Sequence, residues 1–380
     1  MRHIEMTAEG IERALTDWGS HSTGSGIFAL LPEAEKGHVS MLQDACRQRG
    51  LALAGAIFPA LVEDHGFTTS GAWLLNFDQM PPYFLLSAIN AEGGSAVHKL
   101  LAAARDCLQH CQSSGPKPTL FMVFDGMIPN IASILDGLYL ELANRVEYAG
   151  VNAGSETFQP MPCLFNESEV VGDGILGLLL PGRMAPVLEH GFLQPEHAMS
   201  ATSTDGNRIA MIDWRPAFDV YQEIIKAQYG IDLTRDNFYE YAVHFPVGIL
   251  RANGDVVVRI PVALAEDGSL FCVGEIPENS MLVLLQAPGA GANGCIARLA
   301  ENLRGVQGDL AGTQLLTFYC AGRRMHLGQD AEKELIELHA ATGVGEVAGA
   351  LSLGEIGSTV RWGYPMFHNA TLVCTSLKRT

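Results

Sequence analysis

The fold of this chain is decided by the stretch Leu315-Leu-Thr-Phe-Tyr-Cys320-Ala-Gly-Arg323-Arg-Met-His326-Leu-Gly328. Its first part is an apolar run of β-forming residues that stops at Cys320, and a polar helix is predicted from Asp330 to Ala340. Further on, Val347-Ala-Gly-Ala-Leu-Ser352-Leu-Gly354-Glu355-Ile-Gly357 and Phe367-His368-Asn369 again place polar residues at the ends of apolar runs. In α/β folds, ligand pockets commonly form where polar residues follow the ends of strands in an otherwise apolar framework. The sequence therefore predicts an α/β fold with a pocket at these strand ends.

The same order of elements occurs three times along the chain, at residues 25–77, 119–180 and 314–374. Each copy reads as a strand, a helix, a short strand with an Ala-Gly step, a loop and a further strand. The helices of the first two copies are predicted at Val39–Arg49 and Ile131–Arg145. Each Ala-Gly step is interpreted as a place where the backbone approaches another chain segment closely or turns with positive φ.

Two further strand–helix pairs, at residues 83–111 and 281–303, directly precede the second and third copies. The second and third copies are therefore interpreted as equivalent parts of two related halves, each a mixed β-sheet flanked by helices. A helix predicted at Ala217–Tyr229 opens the second half. This places the domain boundary between residues 214 and 215, which divides the chain into residues 1–214 and 215–380.

Composition and charge exclude several classes of function. The chain has 380 residues, of which 48% are hydrophobic and 17% charged, enough to form more than one core. A net charge of −18 argues against nucleic acid and anionic membrane surfaces as partners, because both attract basic proteins. The eight cysteines lie mostly in apolar segments, and the first residues lack the apolar run of a signal peptide. The expected location is the cytoplasm.

Four residues at the predicted strand ends are candidates for ligand binding: Cys320, Arg323, Glu355 and Asn369. Arg323 could clamp a carboxylate, or it could form a salt bridge with Glu355. Glu355 would otherwise form a polar pocket wall, and Asn369 either caps a turn or contacts the ligand. Cys320 is either a buried thiol or a nucleophile with His326 or His368 as its base and Glu355 orienting that base, which leaves a cysteine-dependent enzyme as a rival hypothesis.

Histidines in apolar segments are the candidates for a haem or metal ligand. His190 and His244 lie in strand-like apolar runs, where a histidine is either a core residue with satisfied hydrogen bonds or an axial ligand.

Many ordered blocks of the chain resemble proteins of the FIST family, the domain found in F-box and intracellular signal-transduction proteins. The resemblance covers nearly the whole chain and divides it into an N-terminal FIST domain, residues 1–214, and a C-terminal one, residues 215–380. The blocks that carry it are Tyr148-Ala-Gly-Val-Asn-Ala-Gly154-Ser, Glu189-His-Gly-Phe192, Thr204-Asp-Gly-Asn, Pro216-Ala-Phe-Asp-Val-Tyr221, Phe245-Pro-Val-Gly-Ile, Val258-Arg259, Val273-Gly-Glu-Ile-Pro277, Phe318-Tyr-Cys-Ala-Gly-Arg323, Leu353-Gly-Glu-Ile-Gly357 and His368-Asn369.

The resemblance implies a cytoplasmic sensory protein that binds a small ligand and is not an enzyme. The chain is similar to stand-alone bacterial members that bind haem b, sense nitric oxide and regulate histidine kinases or cyclic-di-GMP enzymes. On this view His190 is the expected axial metal ligand, with His244 and His368 as alternatives, and a homodimer is compatible with the role. The alternative is a sensor of a small anionic or amino-acid-like ligand without haem.

Overall fold

The computed structural model describes residues 1–19, 24–89, 96–111, 117–181, 184, 186–192, 197–252, 254–287, 289, 294–358 and 363–377. Its α-helices are α1 (Ala8–Asp17), α2 (Val39–Arg49), α3 (Ala96–His110), α4 (Ile131–Leu142), α5 (Ala217–Tyr229), α6 (Phe238–Ala242), α7 (Cys295–Gln307), α8 (Ala321–Leu327) and α9 (Asp330–Thr342). Its strands are β1 (Arg2–Ile4), β2 (Gly26–Pro32), β3 (Ala52–Phe58), β4 (Leu61–Glu63), β5 (Gly66–Thr68), β6 (Ala72–Phe77), β7 (Tyr83–Leu86), β8 (Thr119–Asp125), β9 (Glu147–Ala153), β10 (Leu164–Asn166), β11 (Val170–Val171), β12 (Ile175–Leu180), β13 (Val187–Glu189), β14 (Met199–Asp205), β15 (Arg208–Ile212), β16 (Arg215–Pro216), β17 (Val247–Leu250), β18 (Val256–Arg259), β19 (Pro261–Leu264), β20 (Leu270–Cys272), β21 (Met281–Leu284), β22 (Gln314–Cys320), β23 (Glu346–Ser352), β24 (Glu355–Gly357), β25 (Met366–His368) and β26 (Leu372–Leu377).

The predicted α/β architecture of mixed sheets flanked by helices is confirmed, and it is built from three repeats. The first repeat runs from β1 to β6, the second from β7 to β12, and the third consists of β13 and the segment from α7 to β26. The central sheets of the three repeats have the same strand order, β1-β6-β2-β3, β7-β12-β8-β9 and β13-β26-β22-β23. In each of these strand orders, the last two strands run parallel to each other, and the other neighbouring strands are antiparallel.

Each repeat donates a hairpin to the sheet of another repeat. The hairpin β4–β5 of the first repeat extends the third sheet next to β23, and β10–β11 of the second repeat extends the first sheet next to β3. The hairpin β24–β25 of the third repeat extends the second sheet next to β9. The exchange is therefore cyclic, and no repeat completes its own six-stranded sheet.

The Ala-Gly steps occupy matching places in the three sheets, where the backbones approach closely as predicted. Gly55, Gly150 and Gly349 lie opposite Ala29, Met122 and Thr317 in the parallel strand pairs. A Cβ atom on Gly349 would lie 1.8 Å from the Thr317 carbonyl oxygen, and one on Gly150 would lie 2.4 Å from that of Met122. On Gly55 it would lie 2.2 Å from the Phe165 ring, which belongs to the donated hairpin.

Apolar side chains of all three repeats meet in one core. Phe121 of the second repeat packs edge-on against Phe28 of the first, with ring centroids 5.9 Å apart. It also stacks on Phe318 of the third repeat at 5.8 Å. Because β2, β8 and β22 are buried along almost their whole length, they read as continuous apolar runs in the sequence.

Residues 199–287 form a separate unit, built around its own sheet, which is inserted into the third repeat between β13 and α7. We call this segment the inserted module. Its strand order is β18-β17-β21-β14-β15-β20-β19, with β16 paired to β15, and α5 packs on its apolar core. The boundary predicted at 214/215 lies inside this module, between the paired strands β15 and β16.

Polar contacts attach the inserted module to the repeats. The Glu275 carboxylate accepts hydrogen bonds from the backbone N–H (2.9 Å) and the hydroxyl (2.5 Å) of Ser133 in the first turn of α4. The buried Arg259 guanidinium donates to the carbonyl of Phe367 at 2.7 Å. None of the described helices is long and apolar enough to span a membrane.

Candidate functional site

A cavity of about 270 Å³ lies between the inserted module and the strand ends of the third repeat. Its walls come from three parts of the chain. The residues that line it are Glu156 and Phe158 of the second repeat, Tyr239, Ala242, Val243, Ile260, Pro261, Val262 and Val273 of the inserted module, and Cys320, Ala321, Gly322, Met325, Leu353 and Asn369 of the third repeat.

The third repeat forms its wall where β22 passes directly into α8. Cys320 ends the strand, and the helix begins at the next residue and ends before Gly328, which has φ +57°. A Cβ atom on Gly322 would lie 2.3 Å from Cδ1 of Ile260, so glycine lets this helix approach the inserted module closely. The predicted helix at Asp330–Ala340 is present as α9, but the sequence did not indicate α8.

The cavity is lined mainly by apolar side chains, and its buried polar groups already have partners. The Cys320 Sγ accepts a hydrogen bond from the Ala370 N–H at 3.0 Å. The Asn369 side chain accepts from the Ile260 N–H at 3.3 Å and donates to the His368 carbonyl at 3.0 Å. Cys320 and Asn369, both predicted at the pocket, thus line it.

Glu355 lies in a fully buried polar cluster adjacent to Cys320 and is not among the described lining residues of the cavity. Its carboxyl accepts hydrogen bonds from the hydroxyls of Ser352 at 2.6 Å and Thr371 at 2.5 Å. Burial raises the pKa of Glu355 from 4.5 to about 7, although hydrogen bonds from Ser352, Thr371 and Cys320 oppose the shift. The predictions that Glu355 forms a pocket wall or pairs with Arg323 do not match this geometry.

The raised pKa of Glu355 predicts a specific pH dependence of stability. Between about pH 4.5 and 7 the folded protein keeps this carboxyl protonated while the unfolded chain releases the proton, so the folded state loses stability as the pH rises. At about 1.4 kcal/mol for each unit of pKa difference, the loss amounts to a few kcal/mol. Glu355→Gln, which mimics the protonated form, should remove this component, whereas Glu337→Gln, at an exposed position, should retain it. The measurement is urea unfolding across this pH range, and identical profiles for wild type and Glu355→Gln would contradict the assignment.

Arg323 is committed to a buried ion pair and does not point into the cavity. Its guanidinium donates to the Glu334 carboxylate at 2.7 and 2.6 Å and to the His190 carbonyl at 2.8 Å. The side chains of Arg323 and Glu334 are at most 4% exposed. The prediction that Arg323 clamps an anionic ligand is therefore wrong, and the expected partner Glu355 is replaced by Glu334 from α9.

The Cys320 thiol has the properties of a buried side chain that packs in the core, not those of a reactive nucleophile. It is 2% exposed. Burial is the main cause that raises the pKa of this thiol far above the usual range, and the nearby Glu355 carboxylate raises it further, so the neutral thiol is favoured over the thiolate. His326, one of its proposed bases, is instead 2.6 Å from His244, between their Nδ1 atoms. This geometry does not support the cysteine-dependent enzyme.

The three candidate haem ligands do not converge on the cavity. His190 Nδ1 accepts the Phe192 N–H at 3.0 Å, and burial, then Arg323 and Arg298, lower its pKa to about 4. His244 pairs with His326 as described. His368 is fully buried, and neither of its ring nitrogens has a hydrogen-bond partner among the described residues, but it does not line the cavity.

Haem therefore does not fit the residues of this cavity. No histidine is among the described lining residues, and no group of three metal-ligating side chains occurs in the described part of the chain. A volume of about 270 Å³ is also just below the range of about 300–1,000 Å³ typical of sites for drug-sized ligands, and haem is larger than most of these.

Most residues of the cavity wall were not predicted from the sequence. Phe158, Tyr239, Ile260 and Met325 come from separate segments with no shared pattern, and only the fold brings them together. The one local signal was Gly322, since a glycine two residues after an apolar strand indicates a close approach to another segment.

Comparison with family models gives two matches. Residues 34–215 match the FIST N domain, and residues 217–358 match the FIST C domain. No curated protein matches the chain.

Proposed function

This chain belongs to the FIST family, whose domains have a sensory, ligand-binding role in signal transduction, and we propose that its ligand is an apolar small molecule bound in the cavity between the inserted module and the repeats. The observation that carries the proposal is that mainly apolar side chains line the cavity. The inserted module and two repeats supply these side chains jointly. Ligand sites occur preferentially at such junctions between structural units.

A ligand in this cavity would contact α6 of the inserted module and α8 of the third repeat at the same time. It would therefore stabilise the arrangement in which the two walls are close, and such differential affinity is what shifts an equilibrium between arrangements. The His244–His326 contact lies directly beside Val243 and Met325 of the cavity wall, so it would respond to the same movement.

The partner that reads this change is proposed to be a histidine kinase or a cyclic-di-GMP enzyme, on the basis of the resemblance to stand-alone bacterial FIST proteins. The same resemblance suggests haem and nitric oxide as the signal. Because the residues of the cavity do not fit haem, the proposed signal is an organic molecule small enough for about 270 Å³.

Filling the cavity is expected to weaken the binding of a neutral apolar probe. We expect 3-phenylpropan-1-ol to bind the wild-type protein saturably in ligand-observed NMR, and Val262→Trp to weaken that binding at least about tenfold, or 1.4 kcal/mol. Val262 lines the cavity, whereas Val306 is 39% exposed on α7 and does not line it, so Val306→Trp is the matched control. Equal binding to wild type and Val262→Trp, with circular dichroism showing that the variant is folded, would place the probe elsewhere and contradict the proposal.

A further inference from the structure

The wall of the cavity combines one carboxylate with two partly exposed aromatic rings. Phe158 is 36% exposed and Tyr239 is 62% exposed, although both are large apolar side chains that line the cavity. Glu156 lies two residues before Phe158 in the same loop and is also exposed. Among the described lining residues, Glu156 alone carries a formal charge.

The buried part of the cavity offers few free partners for a polar ligand. The amide of Asn369 is used by Ile260 and His368, and the Cys320 sulfur already accepts the Ala370 N–H. A polar group in this region would lose its hydrogen bonds to water without replacement, which is costly. The part of the ligand that enters the cavity must therefore be apolar.

The charge of the ligand follows from the same set of residues. No lysine or arginine is among the described residues that line the cavity, so a carboxylate or phosphate would find no counter-charge there and would face Glu156. The net charge of −18 adds a long-range field that repels anions and attracts cations. An anionic ligand, one alternative suggested by the sequence, thus conflicts with the cavity.

We propose that the ligand is an apolar molecule with a single ammonium group, whose body fills the cavity and whose cation lies between Glu156 and the rings of Phe158 and Tyr239. This inference names the ligand class for the proposed function and rests on it. A carboxylate beside aromatic faces is a recurring way to bind ammonium groups, because the ring faces carry partial negative charge.

The expected selectivity is moderate because Glu156 and the rings are exposed to solvent. An exposed ion pair and an exposed cation–π contact each contribute up to about fivefold in affinity. The ammonium compound is therefore expected to bind about tenfold more tightly than a neutral molecule of the same shape.

The test uses three probes with one body and different head groups, namely 3-phenylpropylamine, 3-phenylpropan-1-ol and 3-phenylpropionate. Their dissociation constants are measured by ligand-observed NMR at neutral pH for wild type, Glu156→Gln and Glu301→Gln. Glu301 is exposed on α7 and does not line the cavity, so its variant controls for the change in net charge. In wild type we expect the amine to bind best and the acid worst.

Glu156→Gln should lower the preference for the amine, taken as the ratio of the dissociation constants of the alcohol and the amine, from about tenfold to about two- to fivefold, because the cation–π contact remains. Glu301→Gln should retain the full preference. Binding of the alcohol with no advantage for the amine would overturn this inference alone, as would a preference that stays at about tenfold in Glu156→Gln. Binding of none of the three probes would overturn the proposed function together with the inference.

Discussion

Arg323→Ala is expected to lower the free energy of unfolding by about 3–5 kcal/mol, the range for removing one partner of a buried ion pair. The loss is large because the Glu334 carboxylate would remain buried, 3% exposed, with the Tyr319 hydroxyl at 2.6 Å as a much weaker partner. The His190 carbonyl would lose its donor as well. Ligand affinity per folded molecule should change little, because Arg323 does not line the cavity.

The control is Arg215→Ala, which removes an arginine–glutamate pair of similar length at the surface. Arg215 and Glu223 are 2.6 Å apart but 52% and 62% exposed, so solvent screens their attraction and the loss of stability should be much smaller than for Arg323→Ala. Denaturant unfolding of the two variants measures the difference directly. Similar losses for Arg323→Ala and Arg215→Ala would show that the buried pair is not formed as described.

Gly349→Ala is expected to be the other strongly destabilising substitution, with a cost on the order of 3 kcal/mol or more. The added Cβ would lie 1.8 Å from the carbonyl oxygen of Thr317, which is fixed in the parallel ladder between β22 and β23. Neither strand can move away without disturbing the core, and overpacking of this kind typically costs about 1–3 kcal/mol even where side chains can adapt. Gly150→Ala should behave similarly, because its Cβ would lie 2.4 Å from the Met122 carbonyl oxygen.

Gly305→Ala provides the matched control for these substitutions. Gly305 lies inside α7, and a Cβ atom added there would have no neighbouring atom within 4 Å. Alanine at this position should therefore stabilise the protein by about 0.5–1 kcal/mol through its higher helix propensity. Thermal unfolding of the variants gives the comparison. If Gly349→Ala were as stable as Gly305→Ala, the close approach at the Ala-Gly step would be refuted.

Local patterns were sufficient to predict much of the fold. The apolar spacing of Val39–Arg49 and Ala217–Tyr229 indicated helices whose bounds match α2 and α5. The three Ala-Gly steps identified equivalent positions in three sheets, because in each sheet a Cβ on the glycine would lie 2.9 Å or less from a carbonyl oxygen of the parallel partner strand.

The cyclic exchange of hairpins was not predictable from such patterns. The strand β4 at residues 61–63 pairs with β23 at residues 346–352, and nothing in a three-residue strand specifies a partner so far away. The Arg323–Glu334 pair was missed because the unpredicted helix α8 turns Arg323 away from the strand end and toward α9.

The candidate site was predicted only where the residues themselves end a strand or begin a turn. Cys320 and Asn369 do so, and both line the cavity. Phe158 and Tyr239 lie in a loop and in the short helix α6, and their common position depends on how the inserted module packs on the repeats. Such long-range packing has no signature in a single sequence.

The most direct test of the central claim is hydrogen–deuterium exchange of the wild-type protein with and without saturating 3-phenylpropan-1-ol. A ligand in the cavity contacts both walls, so peptides covering α6 and α8 should become protected together, while those covering α1 should not change. Protection of only one of these two helices, or of neither, would contradict a binding site shared between the inserted module and the third repeat.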